Sequence, residues 1–131
     1  MNDMDTSAQN DDRKQLGRWG EDLAANHLAS AGCTILARNW RTRHGEIDII
    51  ARDGETIAFV EVKTRRGTQF GLPEEALTPA KAARLTKLAQ AYIAKHDLVD
   101  TDWRIDLIAV QLDTRGRLLR LEHIPNAVLG W

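Results

Sequence analysis

Apolar positions along this chain change spacing several times, and each change marks a predicted element. From about Lys14 to Ala31 they recur at the helical period, with Leu16, Trp19, Leu23, His27 and Ala31 on one stripe. Asp11 or Asp12 fits the N-cap, and Gly32 stands where a helix-ending glycine usually sits. Gly17 and Gly20 within this helix each cost about 1 kcal/mol relative to alanine, so close packing against the backbone is expected there. Three strand-like runs follow: Cys33 to about Arg41, Glu46 to Arg52, and Glu55 to Lys63. Asp53-Gly54 between the last two is a strong hairpin signal. A loop rich in Arg, Gly and Thr then extends from Thr64 to about Leu77. Thr78-Pro79 reads as N-cap and first residue of a second helix reaching about Lys95, with Leu85, Leu88, Ala89 and Tyr92 on its buried face. Two further strands are predicted, Trp103 to Val110 and Leu118 to about Ile124, the second ended by Pro125. The order αβββαββ predicts an α/β domain whose central mixed five-stranded sheet is flanked by helices.

Composition narrows the class. With 131 residues, 43% of them apolar, the chain fits one domain with one sizeable core. The predicted organisation is a disordered acidic leader over 1–12, a domain over 13–125 and a short tail over 126–131. The single Cys33 excludes an internal disulfide framework and points to a reducing cytoplasm. No apolar run approaches the roughly 18 residues of a membrane span, and the polar start does not read as a secretory signal. A membrane partner is therefore not expected.

The net charge of −1 conceals an asymmetry. Asp3, Asp5, Asp11 and Asp12 fall in the leader, which has no Lys or Arg. The body holds all 18 basic residues against the remaining 15 acidic ones. A mildly basic body permits a nucleic-acid partner without demanding one.

Candidate chemistry lies on the predicted hairpin. If Asp53-Gly54 is the two-residue turn, Arg52 faces Glu55, Ile50 faces Ile57, Asp48 faces Phe59 and Glu46 faces Glu61. Opposed side chains share a face, so Glu46, Asp48, Glu61 and Lys63 emerge on one side with Ile50, Ile57 and Phe59. Asp48 and Glu61 are then diagonal neighbours whose Cα atoms lie roughly 7–8 Å apart. Carboxylates on a half-apolar face need a partner, and a divalent cation is the natural one. Mg²⁺, or Mn²⁺ in its place, suits two carboxylates completed by a carbonyl and waters. Lys63, one pleat beyond Glu61, is placed to orient a metal-bound water or offset charge on a phosphoryl group. Zinc is not indicated, because His27, His44, His96 and His123 are scattered around one cysteine.

Asp48 followed on the next strand by Glu61-Val62-Lys63 resembles the restriction-endonuclease-like nuclease core, whose signature is an aspartate and then Glu-x-Lys. Over roughly residues 14–123 the chain looks more specifically like the small bacterial YraN-like family, itself similar to archaeal Holliday-junction resolvases. Gly17-Arg18-Trp19-Gly20-Glu21, Gly45-Glu46-Ile47-Asp48-Ile49-Ile50, Val60-Glu61-Val62-Lys63 and Phe70-Gly71 carry that likeness. The resemblance implies a restriction-endonuclease-like fold, Asp48 and Glu61 as metal ligands, Lys63 as the catalytic lysine and Glu21 completing the acidic cluster. Ile47 stands before Asp48 where the nuclease pattern often has proline. Homodimers acting on four-way junctions are implied by the related resolvases.

The expected activity is Mg²⁺-dependent hydrolysis of phosphodiester bonds in DNA, including branched or single-stranded forms. Its rival is a non-catalytic nucleic-acid-binding or assembly module that retains the fold. An enzyme of small phosphorylated molecules is disfavoured, since no glycine-rich phosphate loop sits at a strand–helix junction. Arg65 and Arg66, directly after the proposed catalytic strand, are expected phosphate contacts. Arg43, beside Arg38 and Arg41, and Lys81, Arg84 and Lys87, fanning over the exposed side of the second helix, serve either phosphate binding or solubility. Glu46 reads as a neighbour supporting the metal site or as a spectator, and Asp106 as a surface or salt-bridge residue. Trp19, Trp103 and Tyr92 read as core, Trp40 as a residue that closes the core or else stacks on a base, and Cys33 as a small buried hydrophobe.

Overall fold

A computed structural model describes the backbone of residues 2–67, 75 and 77–128, with side chains from residue 12 onward in those ranges. The elements run α1 (Asn2–Ser30), β1 (Thr34–Thr42), β2 (Gly45–Asp53), β3 (Thr56–Arg66), α2 (Pro79–Lys95), β4 (Trp103–Leu112) and β5 (Leu118–Ile124). The strands form one sheet in the order β1-β2-β3-β4-β5. Only β3 and β4 are parallel, and α2 makes the crossover between them. This five-stranded mixed sheet flanked by two helices, in the order αβββαββ, is consistent with the restriction-endonuclease-like fold.

Each face of the sheet carries its own core. Ala24 and Leu28 of α1 pack with Ile49, Val60, Val62, Ile108 and Val110. Leu85, Leu88 and Tyr92 of α2 pack with Ile47, Ile50, Ile57 and Phe59 on the other side. Trp40 and Trp103 border this second cluster, meeting Tyr92 and Phe59 edge-to-face at 5.3 and 5.7 Å. Cys33 is half-buried beside the first cluster. The second helix starts as expected: Thr78 Oγ1 accepts from the Lys81 N–H at 3.2 Å, and Pro79 follows.

Helix α1 departs from the sequence reading in two ways. It begins at Asn2, so Asp11 and Asp12 lie inside it rather than capping it. The segment before Lys14 contains no Gly or Pro, so no helix-breaking residue stops the helix from extending through it. Its buried stripe is also rotated from the predicted one. Gly20, Ala24, Ala25 and Leu28 face the sheet, whereas Trp19 is 48% exposed and is not core. Small residues bring the helix backbone close to the sheet, and the bulky indole is left on the outer side. The expected close approach occurs at Gly20, against Thr64, and not at Gly17, which has open space around it.

The β2–β3 register also corrects the prediction. Asp53 pairs with Thr56, Arg52 with Ile57 and Ile50 with Phe59. The loop is therefore Gly54-Glu55, with Gly54 in left-handed backbone (φ 63°) at the first central position, which type II′ turns reserve for glycine. The slip amounts to two residues, so side chains keep their faces but gain different partners. β3 also runs past Lys63 to Arg66. The Phe70-Gly71 pair lies outside the described residues.

Candidate metal and nucleic-acid cleft

The candidate site occupies a fork at which β2 and β3 part. Their ladder ends at Ile49 opposite Val60, and the next position brings Asp48 towards Glu61. On the other side of β2, Arg38 pairs with Ile49 and Trp40 with Ile47, leaving Asn39 and Asp48 between them without a ladder partner. Asn39 adopts a left-handed backbone (φ 52°), a conformation that asparagine tolerates better than most residues. The alternation of faces breaks here: Ile47 and Ile50 share the α2-side core, while Ile49 joins the α1-side core. Irregularities of this kind re-aim a side chain, and this one sends Asp48 into the fork. Its Oδ2 accepts the Val62 N–H at 2.8 Å, replacing a missing ladder bond.

Both carboxylates are mostly buried, Asp48 at 9% and Glu61 at 8% exposure. Burial, together with a hydrogen bond and like charge from Glu61, pushes the Asp48 carboxyl up to about 8 against the pull of the Val62 N–H. Glu61 Oε2 receives Lys81 Nζ at 3.2 Å. Lys81 thus leaves the outer face of α2 that the sequence suggested and turns into the site. Lys63 shares the face of Glu61, and its ammonium is held below the usual range by burial and then by neighbouring Lys81.

Glu21 enters from α1, one residue past the contact of Gly20 with Thr64. Burial raises its carboxyl, partly offset by the Asn39 side chain and Arg38. Its Oε1 is buried without a hydrogen-bond partner and lies 3.9 Å from Arg38 Nη2, beyond hydrogen-bond reach. An orphaned carboxylate oxygen, an aspartate whose carboxyl burial raises and a glutamate held by lysine all fit a site whose charge a cation would balance. Among the described residues, no three His, Cys, Asp or Glu side chains form a ready-made cage.

These groups line an open cleft of about 980 Å³ between the two helices. Arg65, Arg66, Arg84, Lys81 and Lys63 line it with the four carboxylates of Glu21, Glu46, Asp48 and Glu61. Arg13 also lines it and was not foreseen, because it sits at the start of the predicted helix, where periodicity assigns no face. Glu46 is half-exposed and bonded to Arg41 Nε at 2.8 Å rather than paired with Glu61. Arg43 is not among the cleft-lining residues, and its Nε meets the His44 ring at 3.3 Å. Lys87 is exposed and likewise outside the lining. Arg38 bonds Asp22 at 2.8 Å. Asp106 does make a salt bridge, but it is fully buried rather than superficial.

Among the described residues, no helix is long and apolar enough to cross a membrane. Residues 20–110 match the model of a family described as uncharacterised protein family UPF0102. A UPF0102 protein of Roseiflexus castenholzii is 50% identical over 117 residues, spanning 88% of this chain and 94% of the relative. One from Acidothermus cellulolyticus is 59% identical over 117 residues, spanning 87% and 89%. A third, from Pelotomaculum thermopropionicum, is 45% identical over 117 residues, spanning 89% and 98%.

Proposed function

The chain belongs to the UPF0102 family, and from that premise together with its acidic cleft we propose a metal-dependent nuclease that hydrolyses phosphodiester bonds in DNA. The observation that carries this reading is the convergence of Asp48 and Glu61 at the β2–β3 fork, with Lys63 beside them. A protein that only binds DNA gains nothing from burying two carboxylates where phosphates must approach. Asp48 and Glu61 would hold Mg²⁺ or Mn²⁺, with Glu21 close enough to add its charge. Such an ion supplies a more acidic bound water and neutralises charge on a phosphoryl oxygen. Lys63 orients the attacking water and offsets charge on the scissile phosphate. Arg65, Arg66 and Arg84 hold the flanking backbone, and Lys81 would be free to join them with a cation at Glu61.

Branched or single-stranded DNA is the favoured substrate class, and a homodimer is the favoured assembly, both on the likeness to junction resolvases. One cysteine in 131 residues supports a cytoplasmic setting. The test is incubation of the full chain with single-stranded, duplex, flapped and four-way DNA plus Mg²⁺ or Mn²⁺. Cleavage is expected, with Asp48→Ala and Lys63→Ala each reducing it about 100-fold or more. Cleavage that survives both substitutions identifies a contaminant and ends the proposal. Binding without cleavage on every substrate selects the non-catalytic module instead.

A further inference from the structure

Trp19 is the largest aromatic side chain the described surface leaves open, and the catalytic reading gives it no task. It lines a second cavity of about 280 Å³ with Asp12, Gln15, Leu16, Arg66, Leu112 and Gly116. Leu16 and Arg66 line both this cavity and the main cleft, so the two adjoin at these side chains. The strand geometry explains the junction. Along β3, Val62 packs on the α1 side and Thr64 meets Gly20 of α1, so Arg66 follows on that same side. Arg65 points to the opposite side, towards α2. Both arginines line the main cleft, and only Arg66 also lines the second cavity.

We propose that this second cavity is a subsite for one unpaired nucleotide of a DNA substrate whose neighbouring phosphate lies in the main cleft. The inference rests on the nuclease reading and sharpens its substrate class to DNA with a single-stranded segment beside the scissile bond. The Trp19 indole offers a stacking face to the base, over the apolar floor of Leu16 and Leu112. A base inside a duplex has both faces covered by its neighbours and cannot use that platform. Arg66 takes the phosphate that links the stacked nucleotide to the cleft. The Asp12 carboxylate repels phosphate, so the backbone runs along the Arg66 side and the base edge turns towards Asp12.

The test is binding of a fluorescein-labelled oligothymidine of about twelve nucleotides to the full chain in EDTA, followed by fluorescence anisotropy, beside a blunt duplex of the same length. Trp19→Ala is expected to weaken binding of the single strand about tenfold, and Trp19→Phe to retain most of it. Duplex binding should change by less than about twofold, because backbone contacts dominate it. Arg66→Ala should reduce the salt dependence of single-strand binding by about one phosphate contact. Single-strand binding indifferent to Trp19→Ala, or an equal loss for strand and duplex, overturns the proposal. If cleavage persists in that case, the nuclease reading stands without the subsite. Trp19-dependent strand binding with no cleavage of any DNA supports the subsite and removes the nuclease.

Discussion

Gly20 lies so close to Thr64 that a Cβ on the glycine would overlap the threonine Oγ1 and come within 2.9 Å of its Cβ. Helix α1 therefore touches β3 backbone-to-side-chain at the level of the cleft, and the next residue along the helix is Glu21. The contact sets how deeply that carboxylate reaches towards Asp48. Alanine at position 20 would gain about 1 kcal/mol of helix propensity but must push the helix outward. Overpacking of this kind costs about 1–3 kcal/mol, so Gly20→Ala is expected to destabilise the fold in urea melts. Adding Thr64→Ala should recover part of the loss, and a double-mutant cycle measures the coupling.

The fold and the site were legible to different depths. Element order, the Thr78-Pro79 helix start and the last strand follow from local chemistry, because caps, turns and alternation act over a few residues. The meeting of Asp48 and Glu61 was expected from hairpin alternation, but the structure reaches it by another route: the register slips by two, the ladder ends at Ile49, and a local break in alternation turns Asp48 into the fork. Trp19 misled because aromatic bulk suggests core, whereas a helix approaching through Gly20, Ala24 and Ala25 buries its small residues instead. Lys81 was invisible as a partner of Glu61. Nothing local tells a lysine on an amphipathic helix which carboxylate the tertiary fold will bring to it.

The raised Asp48 carboxyl is expected to make stability and metal affinity depend on pH in opposite senses. Its carboxyl is raised from an ordinary 3.8 to about 8 by burial and then by Glu61. Between those values the folded chain binds more protons than the unfolded one, so stability in EDTA falls as pH rises from about 4 towards 8. Asp48→Asn carries no such proton and should flatten that part of the profile. Metal binding must expel the proton, so Mn²⁺ affinity measured by calorimetry is expected to climb over the same window. An affinity independent of pH between about 5 and 8 would show that Asp48 is not a ligand.

Lys81 is the cation that pairs with Glu61, and the proposed metal is expected to compete with it. Their pair is 3.2 Å long, with both side chains largely shielded from water. Lys81→Met removes the ammonium that directly pairs with Glu61 and leaves Lys63 as its nearby positive charge, a loss expected to cost about 1–3 kcal/mol in EDTA. A divalent ion would supply the missing charge. The rise in melting temperature on adding Mn²⁺ should therefore be larger for Lys81→Met than for the unaltered chain. Equal rises would mean that Lys81 and the metal do not compete for Glu61.

Away from the cleft, Asp106 holds the β4–β5 side of the sheet together. It is fully buried and accepts from Arg104 Nε at 2.9 Å, His123 Nε2 at 2.8 Å and the Asn126 N–H at 2.9 Å. Arg104 Nη2 reaches on to Asp53 at 2.9 Å, which ties the end of β2 into the same network. Burial alone would raise the Asp106 carboxyl, but the bonds from His123, Arg104 and the Asn126 N–H outweigh it and hold the group below its ordinary value. Asp106→Ala strands the Arg104 and His123 donors and is expected to cost about 3–5 kcal/mol. For a carboxyl lowered by folding, the stabilisation is complete above the unfolded value of 3.8 and disappears as pH drops through the folded one. The difference in unfolding free energy between the unaltered chain and Asp106→Asn should accordingly be constant from about pH 5 to 7 and shrink below about pH 4. A gap that persists unchanged into strong acid would show that the charge on Asp106 contributes nothing and that its packing alone matters.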